Sequence, residues 1–151
     1  MIAVVQRIKS ASLIADGAPF SEMGRGFLVY LGVAVGDTEK DADALAAKVF
    51  NLRVFEDENE RMNLSLSQVG GEILAVSNFT LLADCRRGNR PDFFGAEKPD
   101  EANRLYEYFI SRLRDAGTVV KTGVFGADMQ ITSVADGPVN IVINSNDLKK
   151  H

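Results

Sequence analysis

The sequence contains almost no histidine or cysteine, the two side chains on which many hydrolytic mechanisms depend. Among 151 residues there is one histidine, His151, and one cysteine, Cys85. Ser-His-Asp and Cys-His mechanisms need an imidazole that packing holds in place, and the last residue of a chain is a poor position for that. The same shortage excludes an internal disulfide and a zinc site built from a His/Cys cluster. We therefore expect neither a metal nor a cofactor.

Long hydrophobic runs are also missing. The longest, residues 27–35, spans about nine residues, whereas a membrane-spanning helix needs roughly 20. The sequence has no G-x-x-x-x-G-K-[ST] phosphate loop and no dinucleotide-binding fingerprint. It opens on a strand pattern rather than on a signal peptide. These features lead us to expect a cytoplasmic protein with no membrane partner.

Positive charge is in deficit. Seventeen Lys and Arg against 21 Asp and Glu give a formal net charge of -4, which argues against a broad positive field and against DNA as a partner. Three arginines nevertheless fall in one loop, Arg86, Arg87 and Arg90, with Lys98 nearby. Because arginine binds phosphate oxygens bidentately, this loop is a candidate RNA contact, and a solvated surface loop is the alternative.

Length and patterning predict one α+β domain. A chain of this size can bury most of the surface that it exposes when unfolded. We predict a single domain over residues 1–145 and a polar, frayed tail over residues 146–151. About seven or eight strand-like runs and two helical stretches predict a mixed, mostly antiparallel sheet with the helices packed on it. The predicted strands include residues 2–8, 12–15, 27–35, 53–55, 73–76, 118–122, 129–134 and 139–143.

Both helices have recognisable ends. Thr38 followed three residues later by Asp41 is a capping-box arrangement for the first helix. Pro99 is suited to open the second helix because its missing N–H is not needed in the first turn, and Gly117 is suited to end it. The 3/4 spacing predicts a buried face on the first helix that consists of Ala42, Leu45, Ala46 and Val49.

Few side chains offer catalytic chemistry by themselves. Thr80 carries a hydroxyl, but nothing nearby in sequence offers a base to activate it, and it is also an ordinary β-branched residue at a strand end. Cys85 precedes two arginines that would raise its reactivity, or it is a thiol beside a basic loop by chance. Four aspartates are candidates for an acid/base pair but lie beside turns and strand ends, where Asp is common: Asp84, Asp92, Asp128 and Asp136.

Two short stretches together carry a family resemblance. Ser77-Asn78-Phe79-Thr80-Leu81 follows the apolar run 72–76, and Asp136-Gly137-Pro138-Val139 lies between two strand-like runs. They resemble the paired signatures of D-aminoacyl-tRNA deacylases, a Ser-Gln-Phe-Thr-Leu segment and an Asn-x-Gly-Pro-x-Thr segment. The resemblance extends from the first residue to about residue 145 and includes residues 3–7, 63–66, 87–91 and 125–130.

The resemblance implies an esterase that uses its backbone. The family cleaves the ester between a D-amino acid, or glycine on a non-cognate tRNA, and the tRNA 3′ end. By analogy, the backbone N–H groups of Phe79 and Thr80 are the oxyanion donors, and Ser77, Asn78 and Met129 bind substrate. The 2′-hydroxyl of the terminal adenosine then supplies chemistry that the protein lacks. Arg86, Arg87 and Arg90 are the corresponding candidates for tRNA binding.

The second signature implies a homodimer with a filter for chirality. In the family, Gly137 and Pro138 correspond to a cis Gly-Pro unit that reaches into the partner subunit's pocket. Rigid backbone beside the substrate Cα would reject an L side chain sterically while admitting a D-amino acid or glycine. The expected partners are therefore tRNA and a second copy of the chain.

Three positions depart from the family signatures. Asn78 replaces a glutamine, Ala135 an asparagine and Asn140 a threonine. If backbone groups carry the chemistry, these side chains adjust pocket shape and support. Two alternatives remain at this stage: a deacylase of the same fold with shifted specificity, and a non-catalytic RNA-binding dimer.

Overall fold

The computed structural model describes residues 1–149, and Lys150 and His151 lie outside the described residues. Within that range there are eight strands and three α-helices, which confirms the predicted α+β fold with a mixed sheet. A short 3-10 helix, Phe79–Leu82, follows the sixth strand. In chain order the elements are β1 Ile2–Ala15, β2 Ala18–Met23, β3 Gly26–Gly32, α1 Glu39–Asn51, β4 Arg53–Glu56, β5 Met62–Ser65, β6 Glu72–Ser77, α2 Pro99–Asp115, β7 Val120–Thr122, β8 Met129–Asn144 and α3 Ser145–Leu148.

One long strand organises the six-stranded sheet. β1 pairs antiparallel with β3 along its first half, with β2 along its second half, and with β8 along most of its length. On the other side of β3 the pairing turns parallel, first to β6 and then to β7. β4 and β5 form a separate two-stranded sheet. The carboxyl end of β6, where the first signature begins, therefore lies inside the sheet rather than at its edge.

Apolar side chains on both faces explain the nearly continuous apolar run of β3. Phe27 and Val29 pack into the larger core beneath α1 and α2, whereas Leu28 faces a second cluster with Leu74. A strand with two buried faces does not alternate between apolar and polar residues, as the sequence predicted for this run. The predicted face of α1 is buried as expected, and Asp41 accepts a hydrogen bond from the Thr38 N–H at 2.9 Å as the capping box requires.

The structure merges two pairs of predicted strands. Residues 2–8 and 12–15 belong to the single strand β1, and residues 129–134 and 139–143 belong to β8. The ladder between β1 and β8 pairs Gln6 with Asn140 but Ile8 with Ala135, so residues 136–139 stand opposite Arg7 alone. Within residues 1–149, β8 pairs only with β1, and a proline is tolerated at such an edge or bulge. The strand therefore passes through Pro138 by bulging, and this bulge joins the two runs that we predicted as separate strands.

The predicted tail is partly ordered. α3 occupies residues 145–148, in place of the fraying expected over residues 146–148. Ser145 is fully buried and its hydroxyl donates to Asp41 Oδ1 at 2.8 Å, while Lys149 Nζ lies 2.7 Å from the same oxygen. These contacts attach α3 to the start of α1. The rest of the predicted tail, including the single histidine, lies outside the described residues.

Candidate active site

The first signature turns sharply where β6 ends. The Asn78 N–H donates to the Leu31 carbonyl at 2.8 Å, and Asn78 then caps the 3-10 helix Phe79–Leu82. The turn packs directly on Gly32, where an added Cβ would lie 2.5 Å from Leu82 Cδ2 and 3.1 Å from the Asn78 carbonyl oxygen. A side chain at position 32 would require Leu82 to move and the turn to shift by a few tenths of an ångström, so the glycine allows the turn to pack closely on β3.

A mostly apolar cavity of about 630 Å³ opens beside this turn. Two predicted binding residues of the first signature, Ser77 and Asn78, line it together with the predicted oxyanion donor Phe79. Met129, also a predicted binding residue, lines it from the start of β8. A concave apolar site of this size with few polar groups is typical of small-ligand pockets. The remaining walls come from Val33, from Phe93, Ala96, Glu97 and Lys98 in the loop before α2, from Pro99 and Ala102 in the first turn of α2, and from Phe125, Gly126 and Ala127.

Two aromatic walls were not among the predicted site residues. Phe93 meets Phe79 edge to face, with ring centroids 5.0 Å apart. Phe125 packs near Tyr106, whose hydroxyl donates to the Ala75 carbonyl at 2.7 Å. Burial raises the pKa of Tyr106 to about 12, so it stays a neutral hydrogen-bond donor. The match of residues 125–130 to the family was the sequence signal that could have identified Phe125. For Phe93 the only signal was its position in the loop between the first signature and α2.

The two predicted oxyanion donors differ in the structure. Phe79 begins the 3-10 helix, and its N–H has no hydrogen-bond partner among residues 1–149, as expected for the first N–H of a helix. The Thr80 N–H donates to Asn78 Oδ1 at 3.2 Å, and Thr80 is not among the residues that line the cavity. Of the two predicted donors, the N–H of Phe79 is therefore the one that is free in the described part of the chain.

Acidic side chains contribute little to this cavity. Glu97 is the one carboxylate in its lining, and its two oxygens accept from the Lys98 N–H at 2.8 Å and the Gly36 N–H at 3.4 Å. The aspartates considered from sequence lie elsewhere. In the described part of the chain, no three His, Cys, Asp or Glu side chains form a group that could hold a metal ion.

The second signature lies away from the cavity of its own chain. The Gly137-Pro138 peptide bond is cis, as expected. Arg7 is buried beneath the bulge and its Nε lies 3.2 Å from the Asp136 carbonyl oxygen and 3.4 Å from Asp136 Oδ2. Its Nη1 donates to the Val54 carbonyl. The bulge is thus held from below by one buried guanidinium, and neither Gly137 nor Pro138 is part of the described cavity lining.

The arginine loop is closed by backbone hydrogen bonds between Asp84 and Asp92, at 2.9 and 3.1 Å. Arg86 binds the Asp84 carboxylate through its Nε, at 2.9 and 3.0 Å from the two oxygens, and this pairing lowers the pKa of Asp84 to about 2. Arg87 and Arg90 are exposed, and neither has an ion pair within residues 1–149. Lys98 lines the main cavity, whereas Arg86 and Arg87 line a neighbouring cleft.

Comparison with known proteins decides the family. A sequence model of the D-Tyr-tRNA(Tyr) deacylase family matches residues 4–144. The chain belongs to that family. Proteins named D-aminoacyl-tRNA deacylase from Thermodesulfovibrio yellowstonii and Thermus aquaticus are 49% and 50% identical to it, over 96% and 97% of this chain and 99% and 97% of theirs. The prediction of an enzyme of this deacylase family, a hydrolase, is confirmed.

Solved structures share the fold. A structure titled c-Myc DNA Unwinding Element Binding Protein superposes with a TM-score of 0.90 at 41% identity, covering 95% of this chain and 98% of its own. A structure titled as a probable eukaryotic D-amino acid tRNA deacylase has a TM-score of 0.78 at 17% identity, and shows the fold alone. Among residues 1–149 of this deacylase-family chain, no helix is long and apolar enough to cross a membrane.

Proposed function

We propose that this chain hydrolyses the ester bond of D-aminoacyl-tRNA and releases the free D-amino acid and tRNA. The observation that carries the proposal is the cavity at the first signature, with the unpaired N–H of Phe79 beside it. Family membership and near-complete coverage by named deacylases support the same substrate class. An apolar cavity of about 630 Å³ is large enough for an aromatic amino acid and part of a nucleoside.

The chemistry that we propose uses backbone groups. Water adds to the ester carbonyl, the bond between that carbon and the ribose 3′-oxygen breaks, and the carboxylic acid and the 3′-hydroxyl are released. The N–H of Phe79 stabilises the oxyanion that forms on the carbonyl oxygen, with the N–H of Thr80 as a second donor when Asn78 releases it. The 2′-hydroxyl of the terminal adenosine assists the proton transfers, since no histidine is among the residues of range 1–149 that line the cavity.

We further propose a homodimer in which each bulge completes the partner's site. Residues 136–139 stand out from the β1–β8 ladder and are absent from the described lining of their own chain's cavity, which supports a role toward a second copy. In that position, Gly137 and Pro138 would exclude an L side chain and admit glycine, so glycyl-tRNA is a second substrate. Ala135 and Asn140 flank the bulge and adjust its shape.

The proposed RNA contact is local. Arg86, Arg87 and Arg90 lie in one exposed loop near the cavity, and they are the proposed ligands for phosphates of the tRNA acceptor end. The net charge of -4 gives no support for DNA as a partner. We place the enzyme in the cytoplasm, where aminoacyl-tRNA is made and used.

The experiment for the hydrolase activity compares wild type with a variant whose cavity is filled. Wild type should release D-tyrosine from D-Tyr-tRNA well above the uncatalysed rate. Ala127→Trp places a large ring in the cavity and should abolish this release while the protein remains folded by circular dichroism. Wild-type release at the uncatalysed rate would contradict the proposed function, and full activity of the filled variant would place the site elsewhere.

Mixed dimers test the shared site. Ala127→Trp fills only the cavity, and Gly137→Val alters only the bulge, where its branched side chain should block the partner's cavity, so each homodimer should be inactive. After the two variants are unfolded together and refolded, the mixed dimer holds one intact cavity facing one intact bulge, and about half of its sites should work. Failure to recover activity in a verified mixed dimer would show that both signatures act within one chain.

A further inference from the structure

A second cleft of about 840 Å³ lies beside the proposed active site. The same short segment forms a wall of both: Phe93 and Ala96 line the first cavity, whereas Phe94 and Gly95 line the cleft. Leu82, at the end of the 3-10 helix, lines the cleft as well. A ligand that leaves the first cavity over this segment therefore enters the cleft directly.

Phe94 is the most exposed large hydrophobic side chain among residues 1–149, at 89%. A single exposed phenylalanine needs no explanation by itself. The backbone around Phe94 is nevertheless fixed, because the Phe94 N–H donates to Asp92 Oδ1 at 3.3 Å and the Gly95 carbonyl accepts from the Val35 N–H at 3.0 Å. The structure thus holds an aromatic ring in water on a fixed backbone, next to the proposed substrate cavity.

The charges in the cleft favour one nucleotide over a duplex. Arg86 is occupied by Asp84, and Asp92 accepts the Phe94 N–H, so Arg87 is the lining cation without an ion pair in the described range. Two arginines and two aspartates sum to zero formal charge, which is too little for binding dominated by a row of phosphates. An aromatic face with one available guanidinium suits a single unpaired base and its phosphate.

We propose that this cleft binds the unpaired cytidine that precedes the terminal adenosine of the tRNA, with its base stacked on Phe94 and its phosphate bound by Arg87. The proposal rests on the proposed function, which places the terminal adenosine and its aminoacyl ester in the first cavity. It adds a subsite that holds the tRNA end without touching the ester. Phe94 and Arg87 are then binding residues that act on affinity and not on the bond-breaking step.

A comparison of two substrates isolates this subsite. Phe94→Ala should raise KM for D-Tyr-tRNA by about 5- to 100-fold, the range for loss of one stacked base, and leave kcat unchanged. The same variant should cleave the D-tyrosyl ester of adenosine, which lacks the preceding cytidine, as fast as wild type does. Phe94→Tyr retains an aromatic face and should behave as wild type on both substrates.

Arg87→Gln should raise KM on tRNA alone and reduce the dependence of binding on salt by about one phosphate contact.

Fluorescence gives a readout that does not depend on hydrolysis. The chain has no tryptophan, so Phe94→Trp introduces a single reporter in the cleft. An RNA oligonucleotide that ends in cytidine-cytidine-adenosine should quench the tryptophan fluorescence to saturation. The same oligonucleotide with an abasic site in place of the last cytidine should quench it far less. Phe20→Trp, at an exposed position on β2, is the matched control and should not respond.

The outcomes separate this proposal from the proposed function. An equal rise in KM on both substrates would overturn the subsite, because Phe94 would then act on the first cavity. An unchanged KM on tRNA, or an unquenched Phe94→Trp, would overturn it as well. If Phe94→Ala lowers the dimer fraction in sedimentation instead of RNA affinity, a second copy covers the ring and the proposal is wrong. Specific quenching with no ester cleavage by wild type would leave the subsite standing and contradict the hydrolase.

Discussion

Asn78 Oδ1 accepts two hydrogen bonds from Thr80, one from its N–H at 3.2 Å and one from its hydroxyl at 2.5 Å. An asparagine side chain commonly binds the backbone two residues ahead in this way. An amide oxygen is not a base, so it cannot take the proton that activation of a nucleophilic hydroxyl requires. The contact therefore holds the turn in place and provides no base that would activate the Thr80 hydroxyl, so we expect Thr80 not to act as a nucleophile.

Replacement of Thr80 by alanine tests that statement. Thr80→Ala removes the hydroxyl but retains the backbone N–H, so kcat/KM for D-Tyr-tRNA should fall by less than about tenfold. Removal of a true oxyanion donor costs about 100- to 1000-fold, and removal of a nucleophile costs more. A loss of about 1000-fold or greater in a folded Thr80→Ala protein would contradict the backbone mechanism.

Gly137 cannot accept a side chain without a local change. Its φ is +136°, and an added Cβ would lie 2.6 Å from the Val139 nitrogen and 3.4 Å from an Arg7 terminal nitrogen. Gly137→Ala should therefore displace the bulge and reduce the preference for D-Tyr-tRNA over L-Tyr-tRNA, measured as the ratio of kcat/KM values. Gly17→Ala is the matched control, since its φ is +81° with no atom within 4 Å of the added Cβ. Gly17→Ala should lower the free energy of unfolding by about 1 kcal/mol and leave the D/L ratio of kcat/KM values unchanged. If Gly137→Ala also retained the wild-type ratio, the bulge would not contribute to discrimination between D- and L-tyrosine.

A change in the substrate tests the role of the 2′-hydroxyl of the terminal adenosine. If the 2′-hydroxyl of the terminal adenosine assists proton transfer, D-Tyr-tRNA that ends in 2′-deoxyadenosine should bind with similar affinity and be cleaved at least about 100-fold more slowly, the usual range for general acid–base assistance. Single-turnover rates at saturating enzyme measure this step directly. Equal rates for the two substrates would mean that a protein side chain performs the proton transfer.

Asp41 links α3 to α1 through a buried charge. Burial by itself raises the pKa of Asp41, but hydrogen bonds from Lys149, the Thr38 N–H and Ser145 outweigh it and hold the pKa well below its usual range. Because the folded-state pKa is lowered, this contribution is present above the unfolded-state value of about 3.9 and is lost as the pH falls further. Asp41→Asn should lower the free energy of unfolding by about 1–3 kcal/mol at pH 7.

Denaturant unfolding at several pH values checks this expectation. The difference between wild type and Asp41→Asn should narrow as the pH falls below about 4, because wild type then loses the same charge. Asp43→Asn, on the same helix, removes an exposed carboxylate paired with Arg112 and should cost less than about 1 kcal/mol at any pH. A difference for Asp41→Asn that stays constant down to pH 2 would show that the charge contributes nothing.

Local signals in the sequence predicted much of this fold. The ends of the helices depend on residues within one turn, so they can be read from the sequence. Examples are the capping box of Thr38 and Asp41 and the boundaries of α2 at Pro99 and Gly117. The apolar run of β3 was predicted as a central strand because burial on both faces leaves no polar positions.

Features that depend on distant residues could not be predicted in the same way. Ser145 is buried because its hydroxyl reaches Asp41, 104 positions earlier. Residues 129–134 and 139–143 were predicted as two strands, but the bulge opposite Arg7 joins them in β8. Phe93 joins the cavity only because the loop folds back on Phe79. The family resemblance identified the two signatures, and the structure adds the other residues that line the cavity, such as Phe93 and Phe125.

The most direct test compares deacylation of D-Tyr-tRNA, L-Tyr-tRNA and Gly-tRNA side by side, with enzyme well below substrate and no added metal. We expect rapid loss of the D-tyrosyl and glycyl esters, while the L-tyrosyl ester decays at its uncatalysed rate. Cleavage of the L ester as fast as the D ester would contradict the chirality filter at Gly137 and Pro138. Loss of all three at the uncatalysed rate would contradict the assignment of the cavity as a deacylase site.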